Sequence, residues 1–147
     1  MTPIETIRNA ILAMPIAHTL QLRFVAFEPG HVEIEMPITP ALCFREGQLQ
    51  ATALFAIADF AAVGAAASLL PEGASNATID GTLKLFAPAR GSHLRAIGRV
   101  VNAGRQLSVC AAEVHAVHDG HPTHCATLLA TARNLLGAAP SALPKEH

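Results

Sequence analysis

The sequence predicts an α+β fold in which an antiparallel β-sheet of about six strands wraps around one long central helix. Three observations predict it. Residues Ala51–Leu70, ATALFAIADFAAVGAAASLL, form an unbroken apolar stretch whose only charge is Asp59, as expected of a helix buried on nearly every side. Strand-like alternation surrounds it, most clearly at Val32, Ile34 and Met36 against Glu33 and Glu35. Helices and strands do not alternate along the chain, which excludes a doubly wound α/β fold.

Each element follows from local signals. Thr2-Pro3-Ile4-Glu5 reads as a capping box with proline at the first helical position, so a short helix over residues 1–14 stops before Pro15. Leu20 to Glu28 reads as a strand, Pro29-Gly30 as a turn, and Val32–Met36 as a half-buried strand. Pro37 to Gln48 reads as a loop. The long helix follows and ends at Pro71 and Gly73. Ala77–Ala87, His93–Val101, Gln106–His118 and Thr123–Leu136 then read as four strands, the last two joined by an Asp119-Gly120 hairpin turn. The tail from Ala138 to His147 carries Pro140 and Pro144 and is expected to be loose. No repeat or linker interrupts residues 1–147, so a single domain is expected.

Composition narrows the function. Ten basic and eleven acidic residues give a net charge of −1, which speaks against a general nucleic-acid binder. Charge is nevertheless uneven: Gly81 to Ala112 contains no acid but holds Lys84, Arg90, Arg95, Arg99 and Arg105. This is either a solvated strand face or a local site for an anionic group such as phosphate. The three cysteines are odd in number and widely spaced, so no disulfide framework is expected and a reducing cytoplasm fits. The N-terminus lacks the basic cluster of a signal peptide. A membrane span at Ala51–Leu70 is rejected: Asp59 would sit near the bilayer centre, and nine of those 20 residues are alanine.

Asp59 is the most informative residue. A carboxylate in an apolar helix is either satisfied structurally or tuned as a general base or nucleophile. Gln50, with Gly47 before it, falls at the expected helix start. The first-turn amides there are free donors that favour developing negative charge on a carbonyl oxygen. Gln50 and Asp59 are nine residues apart, roughly 13 Å along the axis and on opposite sides of the helix. If both act on one substrate, Asp59 must meet the helix start of a second copy, which implies a homodimer with composite sites. His115, His118, His121, His124 and Cys125 look like metal ligands, but a period of three does not share a strand face. A surface hairpin tip is the expectation, although some of them can meet across the hairpin. Phe44, Phe55 and Phe60 are either core or the lining of an apolar pocket.

The stretches GQLQATALFAIAD, TIDGTLKLFAPARG and GRVVNAGRQLSV resemble the hotdog-fold acyl-CoA thioesterases of the phenylacetate-degradation type, and the resemblance runs from about Pro15 to Leu136. It implies hydrolysis of an acyl-CoA thioester, with a helix N-terminal amide polarising the carbonyl and an acid of the other subunit as base or nucleophile. By position the amide is that of Ala51, the acid is Asp59, and a hydroxyl that positions water falls on Thr78. Phe44, Gly47 and the turn residues Phe86 and Pro88 become substrate-binding candidates, and Arg90 and Arg105 candidates for the coenzyme A phosphates. The common family pattern has an asparagine at Phe44, a histidine at Gln50, and glycines at Ala51 and Thr52. Gln50 donates through its amide but does not titrate. The implied partners are acyl-CoA and further copies of the chain, as a homodimer and a dimer of dimers. No metal or separate cofactor is expected, coenzyme A entering as part of the substrate. The alternatives are an acyl-CoA binding protein without catalysis and, less supported, hydration of an enoyl thioester.

Overall fold

The structure, a computed structural model, describes residues 1–137; the tail expected to be loose from Ala138 lies outside the described residues. The elements run α1 (Pro3–Leu12), α2 (Pro15–Thr19), β1 (Arg23–Glu28), β2 (His31–Pro37), a 3-10 turn (Pro40–Leu42), β3 (Cys43–Arg45), β4 (Gln48–Leu49), α3 (Ala51–Ala67), β5 (Ser75–Leu85), β6 (His93–Ala103), β7 (Leu107–His118) and β8 (His121–Leu135). Six strands form one antiparallel sheet in the order β1-β2-β6-β7-β8-β5, and β3 and β4 form a separate small hairpin. The sheet wraps α3, which gives the hotdog arrangement that the resemblance implies.

The capping box forms as expected. Thr2 Oγ1 accepts from the Glu5 N–H at 3.3 Å and the Glu5 carboxylate accepts from the Thr2 N–H at 2.8 Å. Two expectations on either side need correction. Pro15 does not only end α1; it opens α2 at its first position, where its missing N–H costs nothing. The strand expected from Leu20 therefore begins at Arg23, after Gln21 turns the chain with φ 55°. The loop expected over residues 37–48 contains the β3–β4 hairpin, whose turn uses Gly47 at φ 74°.

The alanine-rich helix lets the sheet come close. Ala58, Ala61, Ala62 and Ala65 are fully buried against Ile34, Leu94, Val114 and Leu128 of the inner sheet face. The closest approach is at Gly98 of β6, where a Cβ would drive into the Ala61 carbonyl oxygen. One stripe of α3 escapes this cover: Phe55, Ala56, Asp59, Phe60 and Val63 are only half-buried. Helix α3 stops at Ala67, short of the expected Leu70. Ser68 caps it, its hydroxyl donating to Ala65 O at 2.6 Å and accepting from Gly30 N–H at 2.8 Å. Among the described residues no helix is long and apolar enough to cross a membrane.

Candidate active site

Asp59 sits on the uncovered stripe of α3, facing the first half of β5. The alternation of β5 explains how its partner is aimed. Asn76 and Thr78 point inward, as do Gly81 and Leu83, and the change of parity is absorbed by a bulge between Thr78 and Asp80. Without that extra residue, the strand could not present Thr78 to Asp59 and Gly81 to Phe55. Gly81 is needed there, because a Cβ would lie 3.0 Å from Phe55 Cζ. Thr78 Oγ1 donates to Asp59 Oδ1 at 2.7 Å, and Asn76 Nδ2 donates to the Val63 carbonyl at 3.1 Å. Strand β5 is thus pinned to α3 on both sides of the carboxylate.

The carboxyl of Asp59 is held above the ordinary aspartate range by burial, and the Thr78 hydrogen bond pulls part of that back. Its free oxygen is a base stronger than an exposed aspartate, which suits proton abstraction from water. Beneath it, burial and then the charge of Asp59 push the Cys110 thiol up to about 11. Cys110 stays protonated at neutral pH and is no nucleophile. All three cysteines are free thiols.

A cavity of about 350 Å³ opens beside Asp59 and Thr78. Its walls are α3, the start of β5 and, unexpectedly, α1 with the bend after it, which contribute Ile7, Ala10, Ile11 and Met14. Of the three phenylalanines considered, only Phe60 lines it. Phe55 packs under Gly81, and Phe44 is exposed on β3 with the Arg45 guanidinium 5.0 Å from its ring centre.

The helix start forms a separate site. Gln50 is the N-cap of α3 rather than a first-turn residue, and its Oε1 accepts from the Thr52 N–H at 2.6 Å. That fixes the side chain and leaves its NH₂ group as the donor. Ala51 is the first helical residue, and its N–H has no acceptor among the described residues. At the β3–β4 hairpin that leads into this end lies a second cavity, lined by Gly47, Gln48, Arg90 and His118 among others and by no residue of α3. The Gln48 amide, with its oxygen turned to Arg90, accepts from Nε at 3.2 Å and from Nη2. No residue is common to this cavity and the one at Asp59.

The structure therefore does not bring all candidates together within one chain. Asp59 and Thr78 meet; Gln50, Ala51, Gly47 and Arg90 gather at the helix start. Phe86 projects to the outer sheet face, edge-on to the His124 ring at 4.7 Å, and Pro88 is exposed beside it. Arg105 lies in the β6–β7 turn, at the far end of β6 from Arg90, roughly 33 Å along the strand. One chain cannot close both arginines on one ligand. The acid-free run is also partly neutralised across the sheet, since Arg95 pairs with Glu33. Glu33 is held below its usual range chiefly by that guanidinium.

The histidines divide. His118 and His121 are exposed at the hairpin tip as expected. His115 and His124 are half-buried, face each other across β7 and β8, and stack at 4.8 Å. With Glu113 their ligand atoms lie within 4.8 Å of one another, a donor set able to hold a metal ion. This trio is on the outer face of the sheet, away from Asp59. Sequence spacing hid it because a bulge at Val114/His115 brings the two rings into register.

Comparison with known proteins bears on what such a site does. A thioesterase superfamily model matches residues 51–123, from the first residue of α3 to the start of β8. No curated protein matches significantly. Among solved structures, a thioesterase family protein from Silicibacter pomeroyi is 32% identical, with a TM-score of 0.89, covering 92% of this chain and 100% of its own. A thioesterase from Haemophilus influenzae is 19% identical, with a TM-score of 0.79 and 92% of each chain covered. The E. coli PaaI protein from the phenylacetic acid degradation operon is also 19% identical, with a TM-score of 0.79, covering 92% of this chain and 95% of its own. The last two share the fold; the first, related in sequence along nearly its whole length, establishes that this chain belongs to the thioesterase superfamily.

Proposed function

We propose that the protein hydrolyses an acyl-CoA thioester to a free acid and coenzyme A, in composite sites shared between two copies. The observation that carries this reading is the half-buried, Thr78-bonded carboxylate of Asp59 beside an apolar cavity, on a thioesterase-family fold. The nine-residue separation of Asp59 from the Gln50 cap along α3 supports the sharing. In a two-fold dimer, the α3 start of one protomer meets Asp59 of the other.

The thioester carbonyl is polarised by the Ala51 N–H and the Gln50 NH₂ group. Asp59 takes a proton from a water held by Thr78, and the hydroxide adds to the carbonyl carbon. The tetrahedral oxyanion is held by the same two donors, a contribution of about 10²–10³-fold in comparable sites. Its collapse breaks the carbon–sulfur bond, and the departing thiolate takes the proton back from Asp59. Direct attack by Asp59 through an anhydride is the alternative route. Arg90 of one protomer and Arg105 of the other, brought to the same end by antiparallel two-fold pairing, bind the phosphates. Gln50 favours a second reading, since it cannot supply the charge of the histidine it replaces: the protein would bind acyl-CoA without turnover.

Thiol release from a panel of acyl-CoAs separates the two. The wild type should turn over, and Asp59→Asn should lower kcat about 10²–10⁴-fold while staying folded. Binding without turnover by the wild type would overturn hydrolysis and leave the second reading.

A further inference from the structure

The cavity at Asp59 carries information about the acyl group. Its lining beyond the reacting pair is largely apolar: Ile7 and Ala10 of α1, Met14 in the bend after it, and Phe60 and Val63 of α3. Asn76, one of its few polar groups, already spends its amide on the Val63 carbonyl. No lysine, arginine or histidine lines it, so an anionic acyl tail would find no counter-charge and would face Asp59. Its volume of about 350 Å³ holds roughly ten water-sized groups at about 30 Å³ each.

Helix α1 forms one wall of the cavity, which stays open to solvent on that side. It is held by its own capping box and by Ile11, which rests against α3 where Gly64 leaves room, a Cβ there standing 3.8 Å from Ile11 Cδ1. Ile7 and Ala10 lie on the same side of α1 at helical spacing, and Met14 follows in the extended bend before α2.

We propose that this cavity is the acyl pocket, that it takes a neutral, unbranched acyl group of about six to ten carbons, and that α1 is the wall that measures its length. The proposal rests on the thioesterase reading for the identity of the ligand. Each methylene buried there strengthens binding roughly fourfold, so octanoyl-CoA is favoured over acetyl-CoA by at least a hundredfold, and succinyl-CoA is rejected.

The test uses the full chain in two forms. Turnover of acetyl-, hexanoyl-, octanoyl-, dodecanoyl- and succinyl-CoA is measured in the wild type, Ala10→Phe and Ile7→Ala. Binding of octanoyl-CoA and of coenzyme A alone is measured in Asp59→Asn, with and without Ala10→Phe. Filling the pocket at Ala10 should lower the octanoyl-to-acetyl ratio of kcat/KM at least tenfold, and weaken octanoyl-CoA binding relative to coenzyme A by the same factor. Ile7→Ala should move the optimum to longer chains. A wild type that binds octanoyl-CoA but turns over nothing overturns hydrolysis alone, since the binding arm still reports the pocket. A chain-length profile and an octanoyl advantage unmoved by both α1 variants, with melting curves showing them folded, overturns the pocket.

Discussion

At the residue scale the site turns on one hydrogen bond. Burial raises the Asp59 carboxyl and Thr78 lowers it again by donating to the ionised form. In the proposed mechanism the carboxylate is the active form, so activity should be lost as pH falls through the folded-state value, and the acid limb of the kcat/KM profile should sit above the ordinary aspartate range. Thr78→Val removes the donor and keeps the side-chain shape. It should move that limb to still higher pH and lower the alkaline plateau about tenfold, the scale of one hydrogen bond to a charged group. A pH series on both proteins checks this; an unmoved limb would mean that Asp59 is not the titrating base. Asp59 was legible in the sequence because a lone charge in an apolar helix demands a reason. The capping role of Gln50 was not, since one residue of error in a helix boundary separates a first-turn residue from a cap.

The elements were legible to different depths. Strands β2, β6, β7 and β8 show in the sequence through alternation and turn residues, and α3 shows through its length and apolarity. What stayed hidden depends on tertiary pairing. The β5 bulge changes which residues face the helix without leaving a glycine or proline mark of its own at Ile79. The β7–β8 bulge brings His115 and His124 together, and α2 was masked by a proline read as a stop. Packing of α3 gives a test at this scale, through two glycines that face different neighbours. Gly98→Ala forces a methyl into the Ala61 carbonyl and should cost about 3 kcal/mol or more. Gly64→Ala meets only Ile11 and Val32, at 3.8 and 4.0 Å, and should gain about 0.5–1 kcal/mol from helix propensity. Urea unfolding of the two variants should show these opposite signs; similar losses in both would mean that α3 is not packed against β6 at Gly98.

For the whole molecule, the open question is what completes the site. Strand β5 is an edge of the sheet, eleven residues long, with Ile79 56% and Leu85 48% exposed. An open edge of that length, with Ile79 and Leu85 exposed among polar residues, leaves backbone groups free to pair with another strand, and it adjoins the uncovered stripe of α3 that carries Asp59. In the dimer we propose, a second copy paired antiparallel across a two-fold axis would cover both and set the helix start of each protomer against the acid of the other. Sharing of this kind predicts complementation. Asp59→Asn removes the acid. Ala51→Pro removes the N–H at the first helical position, where proline fits without disturbing the helix. Each variant alone should be inactive, because both of its sites lack the same half. A mixed dimer pairs the Asp59 of one chain with the Ala51 of the other, which leaves one intact site and one that lacks both groups. Co-expression with two different tags and tandem purification should therefore recover about half of the wild-type activity. Were each site built within one chain, every chain in the mixture would carry a defect, and the purified heterodimer would be as inactive as its parents.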